Sequence, residues 1–233
     1  MTTRNNRNNR NQPAPPRTLE VITTHLNADF DAMASMVAAK KLYPEALLVF
    51  PGSQERNLRD FFIRSSFYFV DFTRMKQVPL EEIKRLILVD TRQASRIGKF
   101  AEVAASREVD IHIYDHHPDT DEDVHGSVEV VEEIGSTTAI LTRIIKERGL
   151  SLSPPEATVM ALGIFEDTGS FTFASTTPRD FEAGAFLLSQ GADLNVISEI
   201  VTRELNAEQV ALLNDLLEHS TSFHVGGIEV VLA

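Results

Sequence analysis

Short apolar runs alternate with helically spaced segments early in the chain, and helical spacing dominates later. Leu19–Thr23 predicts a first strand. Asp31–Leu42 predicts a helix through Met33, Met36, Val37 and Leu42. Ala46–Phe50 is a second strand stopped by Pro51-Gly52, and Gln54–Ser65 a second helix. Arg85–Asp90 is apolar until it ends on an acid, the pattern of a strand buried on both faces. Ser95–Ala105 predicts a helix, and Val109–Tyr114 and Val128–Val131 two further strands. Ser136–Arg148 is a helix with a serine cap and a Gly149 stop, Pro155–Glu166 another with proline near its first turn, and Arg179–Ser189 a third closed by Gly191. This alternation predicts an α/β protein with a parallel β-sheet flanked by helices.

Beyond it, Leu194–Leu205 and Ala207–His219 read as helices, the second carrying Val210, Leu212, Leu213, Leu216 and Leu217 as a broad apolar stripe. Phe223–Leu232 returns to a β pattern around Gly226-Gly227, a hairpin turn. A lone hairpin is marginal in water, so these strands are expected to belong to a longer chain or to add to a neighbour's sheet. The expected organisation is a basic tail over 1–17, a catalytic domain over 18–192, a helical linker over 193–222 and the truncated start of a further domain over 223–233. The tail is Asn- and Arg-rich, then Pro-rich, with no aromatics among its arginines. It reads as a disordered leader rather than a nucleic-acid arm.

The 233 residues contain no Cys and no Trp and carry a formal net charge of −12. Absence of cysteine excludes a disulfide framework, a thiolate nucleophile and a zinc–thiolate site, and suits the cytoplasm. The negative balance argues against a surface broadly adapted to duplex nucleic acid. It does not exclude a small anionic substrate, because bound cations invert the local sign of an acidic cleft. No apolar run is long enough to span a membrane and no signal peptide opens the chain.

Four acid-bearing segments fall at predicted element ends: His25-Leu26-Asn27-Ala28-Asp29-Phe30-Asp31, Leu88-Val89-Asp90, Tyr114-Asp115-His116-His117-Pro118 and Phe165-Glu166-Asp167-Thr168-Gly169. An open α/β sheet binds its ligands beyond the carboxyl ends of its strands, so these loops are expected to converge. Asp29 and Asp31, two apart in extended backbone, would each face one cation. One such acid is an ordinary helix cap; two, with a histidine four residues before the first, favour metal. His116 and His117 are adjacent and cannot both face one point from a regular strand. Bare carboxylates gathered in this way repel, and a pair of divalent cations is the simplest way to hold them. Imidazole and carboxylate suit manganese, magnesium or zinc. Two such ions clamp the attacking and leaving oxygens of a displacement at phosphorus, with no Ser, Cys or Lys nucleophile.

The segments, in this order, resemble the motifs of the DHH phosphoesterase superfamily: His25-x3-Asp29-x-Asp31 with Ala34-Ser35, then Asp90, then Asp115-His116-His117-Pro118, then Asp167-Thr168-Gly169-Ser170-Phe171. The likeness runs from about Val21 to about Phe173. It implies a two-metal phosphoesterase acting on small nucleotides or short oligonucleotides, with Mn2+ as the cofactor and Mg2+ as the alternative. It further implies that His25, Asp29 and Asp90 hold one ion and that Asp31, Asp90, His116 and Asp167 hold the other, with Asp90 bridging. Asp115 would support the imidazoles, and His117 would touch the scissile phosphate or the leaving oxygen. Asp90, His116 and His117 are thus the catalytic group. Ser136 and Thr137, after Gly135, resemble the family's helix-start phosphate segment, and Arg92 and Arg96 are further candidates for holding phosphate.

Phe30 stands where glycine is frequent in the family, and no Gly-Gly-Gly-His-type substrate motif follows. The stretches Thr23–Asp31 and Phe50–Glu55 also resemble the amino-terminal DHH region of bacterial proteins that continue into CBS domains and a poly(A)-polymerase or tRNA-nucleotidyltransferase head. That likeness implies RNA or tRNA as a partner through other domains. It gives the competing expectation of a nucleotide-sensing module, while a manganese pyrophosphatase shares the same chemistry. A homo-oligomer is compatible with all three.

Overall fold

A computed structural model describes residues 18–59, 70–201 and 207–232. The chain divides into two compact units between Ile197 and Ser198. Its elements up to that division are β1 (Leu19–Thr23), α1 (Phe30–Leu42), β2 (Leu47–Leu48), β3 (Ile83–Val89), α2 (Phe100–Ala104), β4 (Asp110–Asp115), β5 (Val128–Val131), α3 (Thr137–Glu147), α4 (Pro154–Asp167), α5 (Pro178–Ser189) and α6 (Leu194–Val201), the last spanning the division.

The five strands form one sheet in the order β2-β1-β3-β4-β5, and every pairing is parallel. This is the expected α/β architecture, and its strand order reverses between β1 and β3. On one face Val21, Leu86, Leu88, Ile111 and Ile113 pack with Ile97, Phe100 and Val103 of the α2 region. By the two-residue strand period Ile22 and Ile87 lie on the other face, and both are fully buried. Helix α1 is buried at every position from Phe30 to Ala39. A helix buried on every side is a core helix rather than a surface one.

Close approach of α1 and α4 depends on a missing side chain. A Cβ built on Gly163 would lie 2.5 Å from the Ala34 Cβ and 3.2 Å from the Asp31 Cα. Gly163→Val is therefore expected to force the two helices apart, at a cost of about 2 kcal/mol. Thermal unfolding followed by circular dichroism will show a lowered melting temperature; an unchanged one would refute this account of the packing.

Element ends differ from the sequence expectation by one or two residues at several strands, and by more in the places that follow. The expected helix Ser95–Ala105 breaks into a 3-10 turn, Ala94–Arg96, and the short α2, because Gly98 between them takes φ +56°. The strand expected over Ala46–Phe50 pairs only through Leu47 and Leu48. Residues 56–59 are helical, while the rest of the expected Gln54–Ser65 helix, residues 202–205 of the expected Leu194–Leu205 helix and the tail over 1–17 lie wholly or mostly outside the described residues.

The second unit contains α7 (Ala207–Glu218) and a hairpin of β6 (Thr221–Val225) and β7 (Ile228–Leu232), paired antiparallel from Thr221↔Leu232 to Val225↔Ile228. Gly226 and Gly227 take φ +60° and +85°, the left-handed pair that a two-residue hairpin turn requires. Among the described residues no helix is long and apolar enough to cross a membrane.

Candidate metal centre

The expected loops converge where β1 and β3 part. Chain leaving β1 passes through His25 and through Asn27, at φ +58°, into α1. Asp29 caps that helix, its Oδ1 accepting from the Ala32 amide at 2.9 Å. Asp29 and Asp31 do not share an extended segment, as the sequence spacing suggested, because Asp31 already lies in the helix. Asp31 is 1% exposed. Its carboxylate reaches the first turn of α3, accepting from the Thr137 amide at 2.8 Å and the Thr138 amide at 3.1 Å. Asp29 instead turns back, with its Oδ2 3.7 Å from His25 Nε2.

Asp90 follows β3 in left-handed backbone, φ +60°. That conformation costs a non-glycine residue about 1 kcal/mol. It is held by the Asp90 amide donating to the Tyr114 carbonyl at 2.9 Å and by the Thr137 hydroxyl donating to Asp90 Oδ1, also at 2.9 Å. Around Asp90 stand His25 Nε2 at 3.3 Å, His116 Nε2 at 3.6 Å and His117 Nδ1 at 3.9 Å. Asp167, at the end of α4, places Oδ2 3.1 Å from His116 Nε2.

The histidines show what the cluster is prepared for. His25 Nδ1 sits 2.8 Å from the Leu26 carbonyl and His116 Nδ1 2.9 Å from the Ile134 carbonyl. A carbonyl only accepts, so each Nδ1 carries the hydrogen, and in the neutral ring each Nε2 presents a lone pair. Those lone pairs face carboxylate oxygens, which are also acceptors. Such an arrangement repels unless a cation or a carboxyl proton lies between, and a second-atom hydrogen bond of this kind is what orients a metal-ligating imidazole. Ligand atoms fall within 4.8 Å of one another in three overlapping groups: His25, Asp29 and Asp90; Asp31, His116 and Asp167; Asp90, His116 and His117. Asp167 Oδ2 is buried without a hydrogen-bond partner among the described residues. These residues fit divalent cations.

Electrostatics agree with that fit. Burial, and then the charges of Asp31, Asp29 and Asp167, hold the Asp90 carboxyl well above the usual carboxylate range. Burial, followed by Asp31 and Asp29, pushes Asp167 up to about 9. Asp31 is raised, chiefly by burial. Burial lowers His25, with Asp29 opposing, which leaves its ring neutral. Crowded carboxyls that resist ionising and an imidazole that resists protonation together describe a site short of positive charge.

Asp115 is 1% exposed and sits beneath the histidine pair. Its Oδ1 accepts from the His116 amide at 3.0 Å and lies 2.8 Å from His117 Nδ1. The guanidinium of Arg92, 6% exposed, lies under the same loop. Its Nε is 2.9 Å from Asp123 Oδ2 and 3.5 Å from Asp115 Oδ2, and Nη2 is 2.8 Å from Asp119 Oδ1 and donates to the His117 carbonyl at 2.7 Å. Asp119 and Asp123 had no signal in the sequence. Arg92→Ala is expected to leave the buried Asp115 uncompensated, costing about 3 kcal/mol. Chemical denaturation will show this as a lower midpoint at unchanged slope, and a loss under 1 kcal/mol would contradict it.

Ser136 caps α3, its Oγ accepting from the Ala139 amide at 3.2 Å, and Thr137 is engaged with both Asp31 and Asp90. Arg96 is half-buried with no ion-pair partner among the described residues, and its charge contributes to lowering His25. Arg96, His117 and Pro118 line one small cleft. Asp180, fully buried, was also missed from sequence; it accepts from the Gly135 amide at 3.0 Å and so ties α5 to the start of α3.

The fold is a doubly wound parallel sheet that gathers aspartates and histidines at its switch point, where open α/β sheets bind ligands, and those residues form a candidate metal site. The chain belongs to the DHH family: the model of the DHH family, N-terminal domain, matches residues 21–164. It is 52% identical over 215 residues to the A-adding tRNA nucleotidyltransferase of Geobacter sulfurreducens, covering 92% of this chain but 24% of that protein. It is 28% identical over 217 residues to the bifunctional oligoribonuclease and PAP phosphatase NrnA of Thermus thermophilus, covering 90% of this chain and 61% of that one. The chain thus spans about a quarter of the first relative and under two thirds of the second. An exopolyphosphatase-related protein from Bacteroides fragilis shares the fold at a TM-score of 0.70 with 21% identity, over 88% of this chain and 62% of that one.

Proposed function

We propose that this chain is a two-metal phosphoesterase that hydrolyses phosphodiester or phosphomonoester bonds of small nucleotides or short oligonucleotides. The observation that carries the reading is the pair of imidazoles, His25 and His116, each pinned at Nδ1 by a carbonyl with Nε2 aimed into a ring of carboxylates. His25, Asp29 and Asp90 would hold one cation; Asp31, Asp90, His116 and Asp167 would hold the other. The oxygen and imidazole donors suit Mn2+, with Mg2+ as the alternative. When bound, such cations supply Lewis-acid polarisation of a phosphoryl oxygen and a lowered pKa for water.

The chain's own groups position the substrate and manage protons. Asp115 Oδ1 accepts from His117 Nδ1–H and fixes that ring, so Nε2 is left to meet the phosphate or, when protonated, to give its hydrogen to the leaving oxygen. His117 is the more exposed of the motif's two histidine side chains, at 39%. Arg96 shares its cleft and offers an unpaired guanidinium to a phosphate oxygen. Thr137 and Ser136 act on α3, holding Asp31 and Asp90 in register, and Arg92 braces the loop from below. The test is Mn2+-dependent release of mononucleotide from a short RNA, from a cyclic dinucleotide and from adenosine 3′,5′-bisphosphate. Turnover of any of the three that stops in EDTA is expected; metal binding with no turnover of any would sink the reading.

One observation favours a second reading. The 52% identity is to the amino-terminal quarter of a protein whose name is a tRNA nucleotidyltransferase. On that reading the chain is the nucleotide-sensing module of an RNA-processing protein, with RNA or tRNA as the partner of other domains. Calorimetry separates the two, since a sensor binds nucleotide without consuming it.

A further inference from the structure

A second cleft, of about 100 Å³, opens between α3 and α5 and is lined by none of the metal-ligand residues. Ile134, Ala183 and Phe186 form its apolar floor, and Arg143, Lys146 and Arg179 supply three cations against one lining carboxylate, Glu182. Glu132, which is not among the lining residues, accepts from both Arg143 and Arg179, and Arg143 also pairs with the exposed Glu147 at 3.0 Å. Each guanidinium has five N–H donors, so these bonds fix the two arginines and leave donors over. Lys146 has no carboxylate partner among the described residues; its Nζ lies 5.9 Å from the centroid of the Phe186 ring.

We propose that this cleft binds the phosphoryl group of a nucleotide or of a nucleic-acid strand. Cations approaching from three side chains suit a tetrahedral anion with acceptors on every side, and Phe186 offers a ring face for an adjoining base or sugar. The volume is below the several hundred Å³ of a pocket that engulfs a whole small molecule, so one phosphoryl group enters and the remainder of the ligand stays outside. The site does not depend on hydrolysis. Ile134, on its wall, is nonetheless the residue whose carbonyl seats His116.

The test uses the 233-residue chain in EDTA, with fluorescence anisotropy of a labelled short single-stranded RNA and competition by inorganic phosphate and by AMP. The double variant Lys146→Ala with Arg179→Ala removes two exposed charges that no core contact needs. A second double variant, Lys99→Ala with Arg107→Ala, removes two exposed charges elsewhere. The first is expected to weaken RNA binding about tenfold, while the second retains it. Competition by inorganic phosphate or AMP assigns the site to a free phosphorylated ligand; binding of RNA that neither displaces assigns it to a strand. Both outcomes support the proposal. Wild-type binding in the first double variant, an equal loss in the second, or no binding of any probe by the parent chain would overturn it.

Discussion

Asp90→Asn is expected to abolish the proposed metal-dependent hydrolysis while making the metal-free chain more stable at pH 8. The activity loss follows from position. Asp90 stands between the two proposed sites, with Oδ2 3.3 Å from His25 Nε2 and Oδ1 3.6 Å from His116 Nε2, so its loss is expected to weaken both cations at once. Lewis-acid stabilisation by a bound cation is worth several kcal/mol, and about 4 kcal/mol corresponds to a fall of roughly a thousandfold in kcat/KM. The stability gain follows from the same crowding. At pH 8 the unfolded chain ionises Asp90 freely. The folded metal-free chain must either keep its proton or bury an anion beside Asp29, Asp31 and Asp167. Asparagine removes that cost and still accepts from the Thr137 hydroxyl through Oδ1. Steady-state kinetics with Mn2+ and thermal unfolding in EDTA check the two halves. Near-normal turnover would end the ligand assignment, and a lowered melting temperature would end the electrostatic one.

The pH dependence of the metal-free chain is the second large effect, and its direction is opposite to that of most carboxylate-stabilised proteins. Asp167 is raised from an ordinary 3.8 to about 9, and Asp31 and Asp90 are raised with it. Between these limits the folded state holds more protons than the unfolded one, so stability falls as pH rises. His25, lowered from 6.5, works the other way: below about that value the unfolded chain takes up a proton that the folded one refuses, and stability falls with acid. From about pH 6.5 to about 9, then, the carboxyls alone set the slope, and the melting temperature in EDTA will decline. Saturating Mn2+ will flatten or reverse that decline, because cation binding displaces the same protons and is stronger at higher pH. Melting curves across this range, with and without Mn2+, test it. A metal-free chain that grows more stable toward pH 9 would show that the carboxyls do not crowd as described.

Much of this was legible before any coordinate. Alternating apolar runs announced the parallel sheet, since strands buried on both faces leave a continuous signature such as Leu86–Val89. The residues His25, Asp29, Asp31, Asp90, Asp115, His116, His117 and Asp167 all lie in four short segments at predicted element ends, and the resemblance to the DHH motifs supplied their roles. Element ends were less legible. Gly98 at φ +56° divides a stretch whose periodicity reads as one helix, and periodicity carries no information on that torsion.

What remained hidden were pairings between segments distant in the chain. Asp31 looks like an inward-facing acid in a motif, yet both its oxygens also hold the start of a helix more than a hundred residues away, at Thr137 and Thr138. Arg92 reads as a free cation near a phosphate site, and only folding brings Asp115, Asp119 and Asp123 around it. The sequence by itself determined which side chains are available and which strand ends carry them, because periods of two and 3.6 residues and loop chemistry are local properties. The tertiary structure alone decided which lone pair faces which carboxylate, since that depends on strand order, helix crossing and the carbonyls that pin each imidazole.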